Sequence, residues 1–156
     1  MSAEVRLKEL GINLPSAPRP VGTYVGGVQV GNLLFMSGCG PRRADGSAIT
    51  GKLGAGLGVE QGYEAARVVG LNMLANIRQV LGSLDRVERV VKVLGMVNAS
   101  PEFSEIPKVI NGFSDLFVEV FGKERGTGAR SAVGMAALPG QIAVEVEMVL
   151  QVREQN

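Results

Sequence analysis

Arg130 opens the strand-like stretch 130–137, just after Gly126-Thr127-Gly128, a run that lets the backbone approach a neighbour closely. Its guanidinium is planar and permanently charged, and can hold a carboxylate through two parallel hydrogen bonds. Read alone, it could equally be a surface or salt-bridged arginine. Glu145 follows 15 residues later, in a second strand-like stretch, 142–152. A carboxylate on an enclosed face could hold a water and accept its proton; on an edge strand it would face solvent, or pair with Arg130 across the last hairpin. Glu147 shares its face and is the second candidate. Tyr24 heads another stretch, where its hydroxyl needs a partner if the ring is buried. Ser37-Gly38 closes a strand where a glycine leaves its backbone N–H accessible. Asn111 sits off the apolar stripe of a helical segment, as a ligand or as an ordinary surface amide. Cys39 is a small residue that needs no chemical role, and Arg42 and Arg43 in a glycine-rich stretch could draw in an anion or face solvent.

The chain excludes several chemistries. It has no histidine, so neither Ser37 nor Ser131 has an imidazole base, and with Cys39 as the only cysteine no ordinary zinc site and no internal disulfide can form. A lone cysteine suits a reducing compartment. Lys+Arg is 16 against Asp+Glu 15, a net charge of +1, with aromatics at 4%. Nucleic-acid binders carry clustered positive charge and stacking aromatics, so this balance argues against an RNA or DNA partner. The Gly-x-Gly run at 54–58 lacks the Gly-Lys-Ser/Thr ending of a phosphate loop. No apolar run is long enough for a leader or a membrane span, which makes a cytoplasmic protein the expectation.

The elements that must position these residues are legible in outline. Residues 4–10 suit a short amphipathic helix closed by Gly11, and the Pro-rich 14–22 an extended docking arm. Strands are expected at Tyr24–Val30 and Leu33–Ser37, with Gly31-Asn32 as a two-residue hairpin loop. Residues 38–58, rich in glycine, predict a long functional loop with at most one short strand. Residues 59–81 predict a helix with Tyr63, Ala66, Gly70, Met73, Ile77 and Val80 on one stripe, stopped by Gly82. A strand follows at 87–98, and a helix at about 105–121 with Ser104 as N-cap, Pro107 in its first turn and Gly122 at its end. Strands 130–137 and 142–152 are joined by the turn Leu138-Pro139-Gly140-Gln141. Along the last strand Ile142, Val144, Val146 and Met148 face one way, Ala143, Glu145 and Glu147 the other. The sum is one α+β domain over 1–156: a mixed sheet of about six strands, two helices on one face, and a second face that something polar or a partner subunit must meet.

Four stretches in order resemble the Rid/YjgF family of reactive-intermediate deaminases across nearly the whole chain: Val21-Gly22-Thr23-Tyr24, Gly31-Asn32-Leu33-Leu34-Phe35-Met36-Ser37-Gly38, Ala129-Arg130-Ser131-Ala132-Val133, and Leu138-Pro139 followed by Val144-Glu145-Val146-Glu147. The resemblance implies a chorismate-mutase-like fold, a homotrimer with sheets inward around a barrel, and ligand sites in the clefts between subunits. It implies that Arg130 binds a substrate carboxylate, that Glu145 positions the attacking water, and that Tyr24, Ser37, Gly38, Asn111 and Ala132 line the pocket, some from the neighbouring subunit. The reaction implied is hydrolysis of 2-imino acids, formed from enamines such as 2-aminoacrylate, to 2-keto acids and ammonia, without metal or organic cofactor. A protective protein that binds small carboxylates without turnover would need the same Arg130. Two residues depart from the pattern. Gly128 stands where a longer subgroup often has histidine, and Ala132 where compact members often have cysteine, so neither side chain can contribute.

Overall fold

The structure is a computed structural model, and it describes residues 1–154. Helix α1, Ala3–Glu9, is capped by the Ser2 hydroxyl accepting from the Val5 amide, and ends where Gly11 takes a left-handed conformation (φ 66°). The arm 12–23 has no regular structure. Strands β1 (Gly27–Val30) and β2 (Leu33–Cys39) form the expected hairpin, in register Val30 to Leu33. Two-residue strands β3 (Lys52–Leu53) and β4 (Gly56–Leu57) form a separate two-stranded sheet, with Leu53 also bridging Ala99, so the glycine-rich segment holds two short strands rather than one. Helix α2 spans Val59–Leu81 and ends on left-handed Gly82. Strand β5 (Val87–Asn98), helix α3 (Ile106–Phe121), the short α4 (Lys123–Gly126), β6 (Ala129–Met135) and β7 (Val144–Val152) complete the chain.

The main sheet has five strands in the order β1-β2-β7-β5-β6, one fewer than expected. Strand β6 runs parallel to β5, reached through α3, and all other pairs are antiparallel. β6 and β7 are therefore not a hairpin. The Leu138–Gln141 segment is a short 3-10 turn that carries the chain past β5, with Gly140 and Gln141 at positive φ. β7 lies at the centre, where Val144, Val146, Met148, Leu150 and Val152 are buried under the helices. Ile142 and Ala143 precede the strand.

Both long helices cover one face, as their apolar stripes require. Helix α2 buries Ala65, Ala66, Val69, Gly70, Met73, Leu74, Ile77 and Leu81, so Ala66, Gly70, Met73 and Ile77 of the expected stripe lie in the core, while Tyr63 is partly exposed and Val80 exposed. Phe113 and Phe117 of α3 stack at 4.5 Å between ring centroids. Glu105, not Ser104, precedes α3, and no side chain caps it. Tyr63 donates to Asp115 (2.9 Å), and Arg67 grips Glu119 through two nitrogens (3.1 and 2.9 Å), tying α2 to α3. The opposite face of the sheet carries Val28, Phe35 and Val133, all exposed, beside Glu145 and Glu147.

Candidate functional site

A β-bulge organises one cluster. Between Met36–Met148 and Cys39–Val146, β2 has two residues, Ser37 and Gly38, against the single Glu147 of β7. The extra residue turns this part of β2 out of regular alternation and re-aims its groups. Ser37 is stitched to the segment before β1: its hydroxyl donates to the Val25 carbonyl (2.5 Å) and its amide to the Gly26 carbonyl (2.9 Å). That holds Tyr24 nearby. Tyr24 lies ahead of the strand rather than in it and is about half exposed, with its hydroxyl accepting from the Val21 amide at 3.4 Å. It is not a core tyrosine.

Gly38 lies close against the Glu145 side chain. A Cβ there would stand 3.1 Å from both Cδ and Oε1 of the carboxylate. Glu145 is half-buried, and its proton affinity is raised, chiefly by burial and then by the charge of Glu147. Tyr24, Ser37, Gly38 and Cys39 line a cleft of about 400 Å³, closed on its other sides by the arm and the 40–48 loop. Cys39 is buried, and burial, with the nearby Glu145 charge, pushes its thiol up to about 12. Thiolate is the reactive form, so alkylation at pH 8 should be slower than for a free cysteine by on the order of 10³. A disulfide reagent should label native protein slowly and denatured protein at once; equal rates would show that the thiol is not enclosed.

Arg130 belongs to a second cluster. Its partner across the ladder is Val93, whose own partner is Met148, so its side chain points to the helix side of the sheet. There Nη1 donates to Asn111 Oδ1 (2.8 Å) and Ser114 Oγ (3.2 Å), both on α3. Among the described residues no carboxylate forms an ion pair with it. A hollow of about 240 Å³ opens beside it, lined by Asn111, Ser114, Thr127 and Gly128. Ala132 shares the face of Arg130 and packs partly against the core. A Cβ on Gly128 would stand 2.6 Å from Val90 Cγ1 and 3.0 Å from its carbonyl oxygen, so a histidine there would need this backbone to move. Ser114 escaped the sequence reading; its signal was a second polar residue three positions after Asn111, on the same helix face.

Within one chain the two clusters stay apart. Arg130 is level with Val93 of β5 and Glu145 with Met96, on opposite faces of the sheet. Three residues along and two strands across put their Cα atoms roughly 14 Å apart. The alternative of an ion pair between them across a last hairpin is not met, because β5 lies between their strands.

Residues 4–146 match a family model described as "YjgF/chorismate_mutase-like, putative endoribonuclease". The chain is 47% identical over 145 residues to Protein TCP17 of Trypanosoma cruzi, covering 93% of this chain and 91% of that protein. It is 29% identical over 140 residues to a 2-iminobutanoate/2-iminopropanoate deaminase of Dermatophagoides farinae, covering 89% and 93%. The crystal structure of protein Atu1372 from Agrobacterium tumefaciens superimposes with a TM-score of 0.86 at 39% identity, covering 97% of this chain and 92% of that one.

Proposed function

Since the chain belongs to the YjgF/Rid family, with its chorismate-mutase-like α+β fold, we propose that it hydrolyses small 2-imino acids to 2-keto acids and ammonia, in clefts between subunits of a homotrimer. The observation that carries this reading is Arg130: a half-buried guanidinium steadied through one nitrogen by Asn111 and Ser114 and free of any carboxylate among the described residues. Such a fork is set for a carboxylate supplied from outside. The deaminase of Dermatophagoides farinae, alike over most of both chains, supports the reaction class.

The mechanism asks little of the protein. A protonated imine is already electrophilic at C2, so the site must hold the acid, orient the C=N bond and deliver water. Arg130 grips the carboxylate. Glu145, with raised proton affinity, takes one proton from the water as its oxygen bonds to C2 and returns it to nitrogen; as the C–N bond breaks, the hydroxyl oxygen forms the C=O bond and gives its remaining proton to Glu145 or water. Ammonia leaves and the keto acid remains. Arg130 sits on the edge strand β6 and Glu145 on the other face near the sheet centre, so the two can share one substrate only if they come from different copies. The exposed Val28, Phe35 and Val133 on the open face suit such packing.

Light scattering on the purified protein should therefore give three times 16.4 kDa. A stable monomer would remove the composite site. The activity itself is tested by generating 2-aminoacrylate enzymatically and following keto acid and ammonia release; acceleration over the spontaneous rate is expected, and binding without acceleration would favour a protective carboxylate-binding role. The location proposed for such a reaction is the cytoplasm. Among the described residues no helix is long and apolar enough to cross a membrane.

A further inference from the structure

The cleft lined by Ser37 and Gly38 meets Glu145 through Gly38, whose Cβ position lies 3.1 Å from the carboxylate. It runs on under the arm into a larger hollow of about 670 Å³, and Arg19 and Arg42 line both. Among the described residues neither makes an ion pair. Two unpaired guanidinium groups lining a largely apolar cleft form a locus of positive potential in a chain whose overall charge is nearly balanced.

The loop that carries Arg42 is built rather than slack. Arg42 bridges Ala48 across a small hairpin, the Arg43 amide donates to the Ser47 carbonyl (2.8 Å), and Asp45 accepts from both the amide and hydroxyl of Ser47 (2.9 and 2.6 Å). Its base is pinned from the helix layer. Asn72 of α2, 1% exposed, donates through Nδ2 to the carbonyls of Arg42 (2.8 Å) and Gly40 (3.3 Å). A buried amide that satisfies two loop carbonyls is a specific device. It holds residue 42 at the mouth of the cleft at little ordering cost on binding.

We propose that Arg19 and Arg42 form a selectivity subsite for a second anionic group on the substrate, so that the preferred 2-imino acid has an acidic side chain. This rests on the proposed function and names its substrate class. The C1 carboxylate would go to Arg130 of the neighbouring subunit, the imine carbon beside Glu145, and the distal anion toward Arg19 and Arg42. Such imines arise by two-electron oxidation at nitrogen of acidic amino acids, which is the class of reaction that must supply them.

Titration calorimetry of the trimer with keto-acid products decides the matter. Three probes are compared: 2-ketobutyrate with one anion, 2-ketoglutarate with a distal carboxylate, and 3-phosphohydroxypyruvate with a distal phosphate. At low salt at least one dianionic probe should bind about tenfold tighter than 2-ketobutyrate, and which of them does so identifies the group. That ratio should shrink as salt screens the exposed arginines, and fall close to one in Arg19→Ala/Arg42→Ala. A ratio near one in wild type, or a ratio untouched by the double substitution, overturns the proposal. If 2-ketobutyrate binding depends on Arg130 while no ratio is found, only this inference fails. If Arg130→Ala leaves every probe bound as in wild type, the site assignment beneath it fails instead.

Discussion

Arg130→Ala should weaken binding of small 2-keto acids by about 10- to 100-fold while leaving the trimer intact. Hydrogen bonds to a charged group contribute roughly 1.5–3 kcal/mol each, and a decade of affinity corresponds to about 1.4 kcal/mol. Losing a two-pronged contact therefore costs at least one decade. Because the guanidinium is half-buried at the sheet edge and touches only Asn111 Oδ1 and Ser114 Oγ, its removal strands no buried charge, and water can satisfy both partners. Stability should change little. Arg130→Lys keeps the charge without the planar fork and should recover only part of the affinity. Asn111→Ala tests positioning: with one of the two contacts to Nη1 gone, the fork loosens, so KM should rise more than kcat falls. Calorimetry with 2-ketobutyrate reads these effects directly. Unchanged affinity in Arg130→Ala would remove Arg130 from the site.

The parts of this molecule that could be read from sequence are those set by local physics. Helix α2 matches 59–81 residue for residue, since a 3.6-residue apolar period with Gly82 behind it leaves few alternatives. Gly31-Asn32 likewise fixed a hairpin. What escaped was non-local. A Pro-Gly turn between two strand-like stretches reads as a hairpin, but α3 returns β6 parallel to β5, and the strongly apolar β7 gains more by burial between β2 and β5. Arg130 and Glu145 therefore lie on separate strands and separate faces, and the ion pair that a hairpin would allow never forms. The bulge at Ser37-Gly38 has no local signature either, as it exists only relative to β7. Asn72 had one: a polar residue inside the buried stripe of α2 must answer some backbone group, here the carbonyls of the glycine-rich loop.

Glu145→Gln should leave keto-acid binding nearly intact and lower imine turnover by about 10² to 10⁴, the usual range for removing a general base. The amide fits the same space against Gly38 but cannot take a proton from water. The pH dependence is set by direction. Burial and Glu147 raise the proton affinity of Glu145, so the ionised base is lost, as pH falls, at a higher pH than for an ordinary glutamate. The acidic limb of the wild-type turnover profile should be shifted upward accordingly, and Glu147→Gln, which removes the lesser cause, should bring it part of the way back. Stability follows with a definite sign. With its folded-state pKa above the unfolded value, Glu145 makes the native state bind more protons between the two, so its contribution to stability declines as pH rises through that window and stays unfavourable above it. Glu145→Gln removes that penalty. The variant should be at least as stable as wild type at neutral pH, with the difference vanishing below the unfolded carboxyl range. A variant that is slow because it unfolds would show the opposite, and one that turns over imine at the wild-type rate would show that Glu145 is not the base.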